Sequence, residues 1–341
     1  MPETIETRKS DHLVIAAKES VQRPALSTFD SVRFEPYAIP DLNMDEISCD
    51  SDFLGYRLSL PIVISSMSGG IAQADRMNIH LAEAAEATGV AFSLGSMRIA
   101  LEDHGQAKSF QLRRHAPNIP ILANLGAAQL RGPSGVDNAL RCIDIAEADA
   151  LYIHLNPMQE AVQMGGDRDW RGIVDALIQL CAKSPVPVLV KEVGHGIGPT
   201  TAKMLSEIGI DWIDVAGSGG TSWAQIEHDR AHGDESIFAD WGIDTVTAVT
   251  KISELGLPLS LIASGGIRNG LHVAKCLRIG ASLAGIAKPL LAPALTSTDH
   301  VIDTLRQFEL ELRTTMFCTN SCDLRELARA PLLRDPTRSQ A

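Results

Sequence analysis

The chain has 341 residues, of which 45% are hydrophobic and 21% charged, and its formal net charge is −12. That balance provides a large apolar core and excludes a mainly disordered protein. It also excludes a nucleic acid as principal partner, because binders of phosphate backbones carry a basic face. The longest apolar stretch, 283–295, is broken by Lys288, Pro289 and Pro293 and is too short to cross a bilayer, so no membrane partner is expected. The six cysteines (Cys49, Cys142, Cys181, Cys276, Cys318, Cys322) are scattered and close no zinc site, which suits reduced thiols. Residues 1–25 alternate charges without the apolar core of a secretory leader, and a cytoplasmic location is expected.

In chain order, residues 1–60 read as an N-terminal extension, 61–317 as the main domain and 318–341 as a C-terminal arm. Eight short apolar runs recur at 61–67, 90–96, 119–125, 150–156, 187–193, 212–216, 259–264 and 283–287, continuous as buried parallel strands require. Amphipathic stretches at 74–88, 136–148, 171–183, 200–208, 245–255 and 271–279 alternate with them, and a last helix is expected over 298–317. Eight β-then-α units close a (β/α)8 TIM barrel. The alternative, an open doubly wound sheet, wants a glycine fingerprint after its first strand that Ser68-Gly69-Gly70 does not supply. The connection 217–242 is unusually long, with Thr221-Ser222-Trp223 followed by Glu227, His228, Asp229, Arg230, His232, Asp234 and Glu235; it predicts a lid or a site wall.

Strand C-termini converge on one mouth of a barrel, so the residues there are the candidate site. After strand seven, Ser264-Gly265-Gly266 offers unobstructed backbone N–H groups; after strand eight, Ala287-Lys288-Pro289 can start a short helix. Together they form the phosphate clamp of such barrels, although a single Gly-Gly would more often be just a turn. Lys191 closes the apolar run Val188-Leu189-Val190 and needs an anionic partner. An electron-rich flavin edge would serve, as would an ion pair with Glu160 or Asp214; a Schiff-base role is a third option. Met67-Ser68-Gly69 could bring amides to a flavin ring. Arg8-Lys9, Arg98 and His154 suggest a second anion site, against the plainer reading of solvated surface charges. Glu160 suits Mg²⁺ held largely by ligand phosphates, or is simply an acid at a helix start.

The motifs together resemble the FMN-dependent, type 2 isopentenyl-diphosphate isomerases. The likeness is carried by Arg8-Lys9-Ser10-Asp11-His12, Met67-Ser68-Gly69-Gly70, Gly95-Ser96-Met97-Arg98, Ala123-Asn124-Leu125-Gly126 and the run from His154 through Asn156 to Gln159-Glu160. Lys191-Glu192-Val193-Gly194, Gly219-Gly220-Thr221-Ser222 and Ser264-Gly265-Gly266-Ile267-Arg268 complete it. The resemblance implies interconversion of isopentenyl and dimethylallyl diphosphate with reduced FMN and Mg²⁺, NADPH serving to reduce the flavin. It implies FMN contacts from Ser66, Met67, Ser68, Ser96, Asn124, Lys191, Ala216, Thr221, Gly266, Ile267, Arg268, Ala287 and Lys288. It implies diphosphate contacts from Arg8, Lys9, Arg98, His154 and Gln159, with Glu160 on Mg²⁺; Gln159 and His154 are the candidate catalytic residues, Gln159 for positioning or relay. Homotetramers or homo-octamers are implied, with Arg8 and Lys9 available to a neighbouring subunit. Met97 and Ser68 depart from the glutamine and threonine common in the family. A 2-hydroxy-acid oxidase barrel would leave Gln159-Glu160 and Arg8-Lys9 without work, and a non-catalytic flavin binder needs no metal carboxylate beside a second anion site.

Overall fold

The computed structural model describes residues 5–16, 21, 28–70, 72–231 and 236–333. His232, Asp234 and Glu235 of the long connection and the end of the C-terminal arm lie outside them. Helix α1 (Ile5–Ala16) comes first, then a hairpin of β1 (Ser51–Phe53) and β2 (Tyr56–Leu58). Strands β3 (Ile62–Ile64), β4 (Ala91–Ser93), β5 (Ile121–Gly126), β6 (Ala150–His154), β7 (Val188–Lys191), β8 (Trp212–Asp214), β9 (Ser260–Ser264) and β10 (Leu283–Ile286) follow. They close in sequence order into one barrel, β10 pairing with both β9 and β3, every pair parallel. The chain therefore folds as a TIM barrel.

Each predicted run holds one observed strand. Six of the eight runs overshoot at their C-terminal ends because residues such as Ser65, Ser66 and Met67 leave the ladder to form the mouth; 259–264 ends with its strand and 119–125 one residue before it. Outside lie α2 (Ala72–Thr88), α3 (Arg98–Glu102), α4 (Gly135–Ala146), α5 (Pro157–Val162), α6 (Ile173–Lys183), α7 (Pro199–Glu207) and α8 (Trp223–Ala231). After them come α9 (Thr245–Ser253), α10 (Gly270–Arg278), α11 (Lys288–Thr296), α12 (Thr298–Cys318) and α13 (Leu324–Leu327). Amphipathic periodicity found the long helices outside the strands from α2 onward; α1, α3, α5 and α8 are too short or too polar to show an apolar stripe. Helix α11 begins at Lys288 with Pro289 in its first turn, where the missing N–H costs nothing.

The core has two parts. The larger fills the space between strands and helices, where α12 packs on α2 and α10. The smaller fills the floor of the barrel: Phe53 and Leu58 of the hairpin pack on Val63, Ala91, Leu122, Tyr152, Leu189, Ile262 and Leu283. The hairpin turns at Leu54 and Gly55, both at positive φ (53° and 84°), the geometry of a two-residue type I′ turn. The flanking segments also meet, Phe34 bridging to Leu332 and the Leu333 N–H donating to the Arg33 carbonyl. Helix α8, inside the long connection, packs against α5 and α1 and walls the mouth. No helix among the described residues is long and apolar enough to cross a membrane.

Candidate active site

A cavity of about 590 Å³ opens at the C-terminal ends of the strands. Every residue singled out from the sequence as a cofactor, substrate, metal or catalytic position lines it. The structure sorts them into two halves.

One half is backbone. Gly265 (φ +101°) and Gly266 (φ +72°) cross the 217–220 segment so closely that a Cβ on Gly265 would stand 1.9 Å from the Gly217 carbonyl oxygen, and one on Gly266 2.7 Å from that of Gly219. The crossing is pinned by the Gly217 N–H, which donates to the Ser264 carbonyl (2.8 Å), and by the Thr245 hydroxyl, which donates to the Ser264 and Gly265 carbonyls (2.8 and 2.7 Å). Ile267, Arg268, Ala287, Lys288, Ala216 and Thr221 surround this cradle. Lys288 reaches across to donate to the Ala16 carbonyl at the end of α1 (2.8 Å).

Below it, the buried Lys191 donates through Nζ to the Glu192 carbonyl (2.5 Å). No direct ion pair joins it to Glu160 or Asp214 among the described residues, so the structural-pair alternative is not what the geometry holds. Burial raises the Asp214 carboxyl above its ordinary range; it accepts from Ser264 (2.5 Å) and from the Ala216 N–H (3.2 Å). Ser66 is linked to Ser93 (2.6 Å) and accepts from Asn124 (2.6 Å), whose Oδ1 meets His154 Nδ1 at 2.7 Å. Met67, Ser68 and Ser96 complete this wall.

The other half is long side chains. Lys9, from α1, donates to the Gly69 and Ser96 carbonyls (2.6 and 2.9 Å); burial and then Arg8 lower its pKa to about 7. His154 is lowered to about 3 by burial, then by Lys191 and Lys9, and is therefore neutral near pH 7. Arg98 is paired with Glu102 and Asp167. Asn156 Nδ2 donates to Gln159 (3.1 Å) and Glu160 (3.0 Å), and its buried Oδ1 has no partner among the described residues. Gln159 in turn donates to Glu227 (2.9 Å), so both ends of its amide are held.

Glu227, with a side chain 1% exposed, is a junction that the sequence showed only as one charge among many in a connection expected to be a lid or a site wall. It faces His12 Nε2 (2.8 Å) and accepts from Gln159 and from Arg230 (2.7 Å). With its amide turned so that both ends are satisfied, Gln163 donates to Glu227 (3.0 Å) and accepts from Arg8 (2.9 Å). Burial pushes the Glu227 carboxyl up, but His12, Gln159 and Arg230 outweigh it and hold the group below its ordinary range. His12, Gln129, Asn156, Gln163 and Trp223 also line the cavity and were not singled out as site residues. Met97 does not line it: the side chain is fully buried and its N–H donates to the Asn124 carbonyl (2.8 Å), so the departure there falls in the core.

A closed parallel barrel with a glycine-lined anion cradle over its last two strands and a buried lysine beneath defines the class of phosphate-cofactor barrel enzymes. The pattern of the family described as FMN-dependent dehydrogenase matches residues 8–118 and 147–334. Proteins named isopentenyl-diphosphate delta-isomerase from Xanthobacter autotrophicus and Pseudescherichia vulneris are each 46% identical, over 95% of this chain and 96% of the first and 97% of both in the second. A Nostoc protein of the same name is 41% identical over 94% of each chain. The chain belongs to the FMN-dependent dehydrogenase family and, within it, to the isopentenyl-diphosphate delta-isomerases. Among solved structures, a mandelate oxidase mutant with a monooxide FMN adduct superposes with a TM-score of 0.66 at 16% identity, covering 96% of this chain and 93% of that one. Mandelate oxidase with (S)-2-phenylpropionate gives 0.65 at 17%, covering 95% and 90%. These two share the fold.

Proposed function

We propose that this enzyme interconverts isopentenyl and dimethylallyl diphosphate, using reduced FMN and Mg²⁺. The observation that carries the proposal is the division of one cavity into a backbone phosphate cradle and a cationic side-chain half, in a chain whose near-full-length relatives bear that name.

The residues fit the flavin. Gly265 and Gly266 cross the 217–220 segment with no room for a Cβ, so bare backbone lines the cavity there beside the start of α11, as a phosphate site needs, and Lys191 stands buried where an electron-rich ring edge needs a cation. Gly266, Ile267, Arg268, Ala287 and Lys288 would hold the phosphate, with Ala216 and Thr221 beside it. Ser66, Met67, Ser68, Ser96, Asn124 and Lys191 would line the ring. When bound and reduced, the flavin would supply electron density and an acid–base nitrogen next to the hydrocarbon. For Mg²⁺, the fit rests on Glu160 and on the unpartnered Asn156 Oδ1 in the same wall, few protein oxygens as this ion prefers when phosphates complete its shell.

Moving a double bond needs a proton added at one carbon and removed at another. The chain's own groups bind and orient for that step. Lys9, Arg8 and Arg98 bring positive charge to the diphosphate. His154, whose Nδ1–H is spent on Asn124 Oδ1, would donate to a phosphate oxygen only after taking up a proton at Nε2, which the bound diphosphate would favour. Gln159, held at both ends, orients and does not exchange protons, while Glu227 fixes Gln159 and the His12 ring around the hydrocarbon end. The resemblance further supports NADPH as flavin reductant, a cytoplasmic location and a homotetramer or homo-octamer.

The test is to mix the reduced, FMN-loaded enzyme anaerobically with isopentenyl diphosphate and Mg²⁺. Dimethylallyl diphosphate is the expected product; its absence, with flavin bound, rejects the proposal. Reduction of the oxidised flavin by 2-hydroxy acids would favour the oxidase reading instead.

A further inference from the structure

Arg98, at the start of α3, is held by two acids. Its NH1 donates to Asp167 Oδ2 (2.9 Å) and its Nε to Glu102 Oε1 (3.0 Å), one turn along its own helix. Glu102 is exposed and does not line the cavity. Asp167 sits in the loop after α5 and also stays outside the cavity lining, yet it touches three residues of the wall. Besides Arg98, its Oδ2 accepts from Gln129 Nε2 (3.1 Å), and its N–H donates to Glu160 Oε2 (2.7 Å). Its carbonyl accepts from the Trp170 indole (2.8 Å), which fixes the loop from the other side. The preceding Gly166 lets the loop lie flat on α5, where a Cβ would stand 2.1 Å from the Glu160 carbonyl oxygen.

The guanidinium is held by both acids at once, Nε on the exposed Glu102 along α3 and NH1 on Asp167 at the wall that holds Glu160. Both acids are half-exposed, so neither pair alone fixes the side chain strongly, and the balance decides where the cation points. With NH1 and Nε taken, NH2 has no partner among the described residues and is available to a ligand oxygen.

We propose that Asp167 is a positioning residue: it holds Arg98 on the cavity side, joined through its own backbone to Glu160, and so sets the affinity of this half of the site for a diphosphate with its metal. The proposal deepens the function proposed above and rests on that reading of the cationic half.

The experiment measures binding of inorganic pyrophosphate in the presence of Mg²⁺ to the FMN-loaded protein by calorimetry, with flavin absorbance and the thermal midpoint as checks on folding. Asp167→Ala is expected to weaken binding about tenfold, the scale of a lost charge-assisted hydrogen bond, with FMN retained. Asp167→Asn, which keeps an acceptor in place, should cost about threefold and tests the same point if the alanine variant folds poorly. The decisive measurement is Asp167→Ala with Glu102→Ala: removing the outward pull should recover most of the loss, which repair of a collapsed loop would not do. Unchanged affinity in both Asp167 variants overturns the proposal, as does a loss that Glu102→Ala fails to recover, or no pyrophosphate binding by the unsubstituted protein. If that protein binds pyrophosphate with this pattern but does not isomerise isopentenyl diphosphate, the substrate reading falls and the role of Asp167 stands.

Discussion

The two halves of the mouth are built of different material. The cradle between β9 and β10 is main chain, and two glycines at positive φ let its segments touch. The opposite half is side chains on α1, α3, β6 and α5, each cation or amide tethered by a neighbour: Lys9 by two carbonyls, Arg98 by two acids, Gln159 by Asn156 and Glu227. A backbone site is made when the barrel closes and has little freedom left. A side-chain site is adjustable, and its charges answer to pH and to each other. Permanent ligands suit the first arrangement, exchanging ones the second.

The sharpest way to break the contrast is Gly265→Ala. The added Cβ meets the Gly217 carbonyl at 1.9 Å and the φ of +101° is strained for any side chain. A cost of about 3 kcal/mol follows, lowering flavin affinity by at least ~100-fold in an absorbance titration. Glu160→Gln tests the other half: turnover in Mg²⁺ should drop about 100-fold while flavin content stays unchanged. Equal turnover would remove Glu160 from metal duty.

A smaller effect distinguishes the halves by pH. Burial and then Arg8 lower Lys9 to about 7, so its charge is present below that pH and lost above it until a bound anion restores the proton. Pyrophosphate affinity should therefore weaken by up to about tenfold between pH 7 and 8, and Lys9→Arg, which keeps its charge, should flatten the profile. Flavin affinity should not follow the same curve. Least of all, Tyr152→Phe at the barrel floor should alter neither half. The buried Tyr152 hydroxyl has no partner among the described residues, so its removal should leave stability within about 1 kcal/mol of the original or raise it, as a thermal melt would show.

The barrel and the cradle were legible in the sequence for a physical reason. Parallel strands buried on both faces must be apolar runs, and a phosphate held by backbone needs glycine, so both leave local marks. Glu227 leaves none: in the sequence it stands among His228, Asp229 and Arg230 like any solvated face, and only the docking of α8 on α5 and α1 buries it. Asp167 escapes for the same reason, since its partners are 69 and 38 residues away in sequence. The β1–β2 hairpin was hidden because its turn is Leu54-Gly55, not the Asn-Gly or Asp-Gly pair that announces such a turn. Glu160 was legible as an acid at the mouth suited to Mg²⁺ beside ligand phosphates, or simply at a helix start, whereas a substrate role for Gln159 came only with the motif resemblance.

That hairpin governs traffic. Phe53 and Leu58 stopper the bottom of the barrel against a layer of strand side chains, so its axis offers no passage from below. The cavity therefore lies at the opposite end, where α1 contributes to its lining, fastened by Lys288 to the cradle side and by His12 to α8.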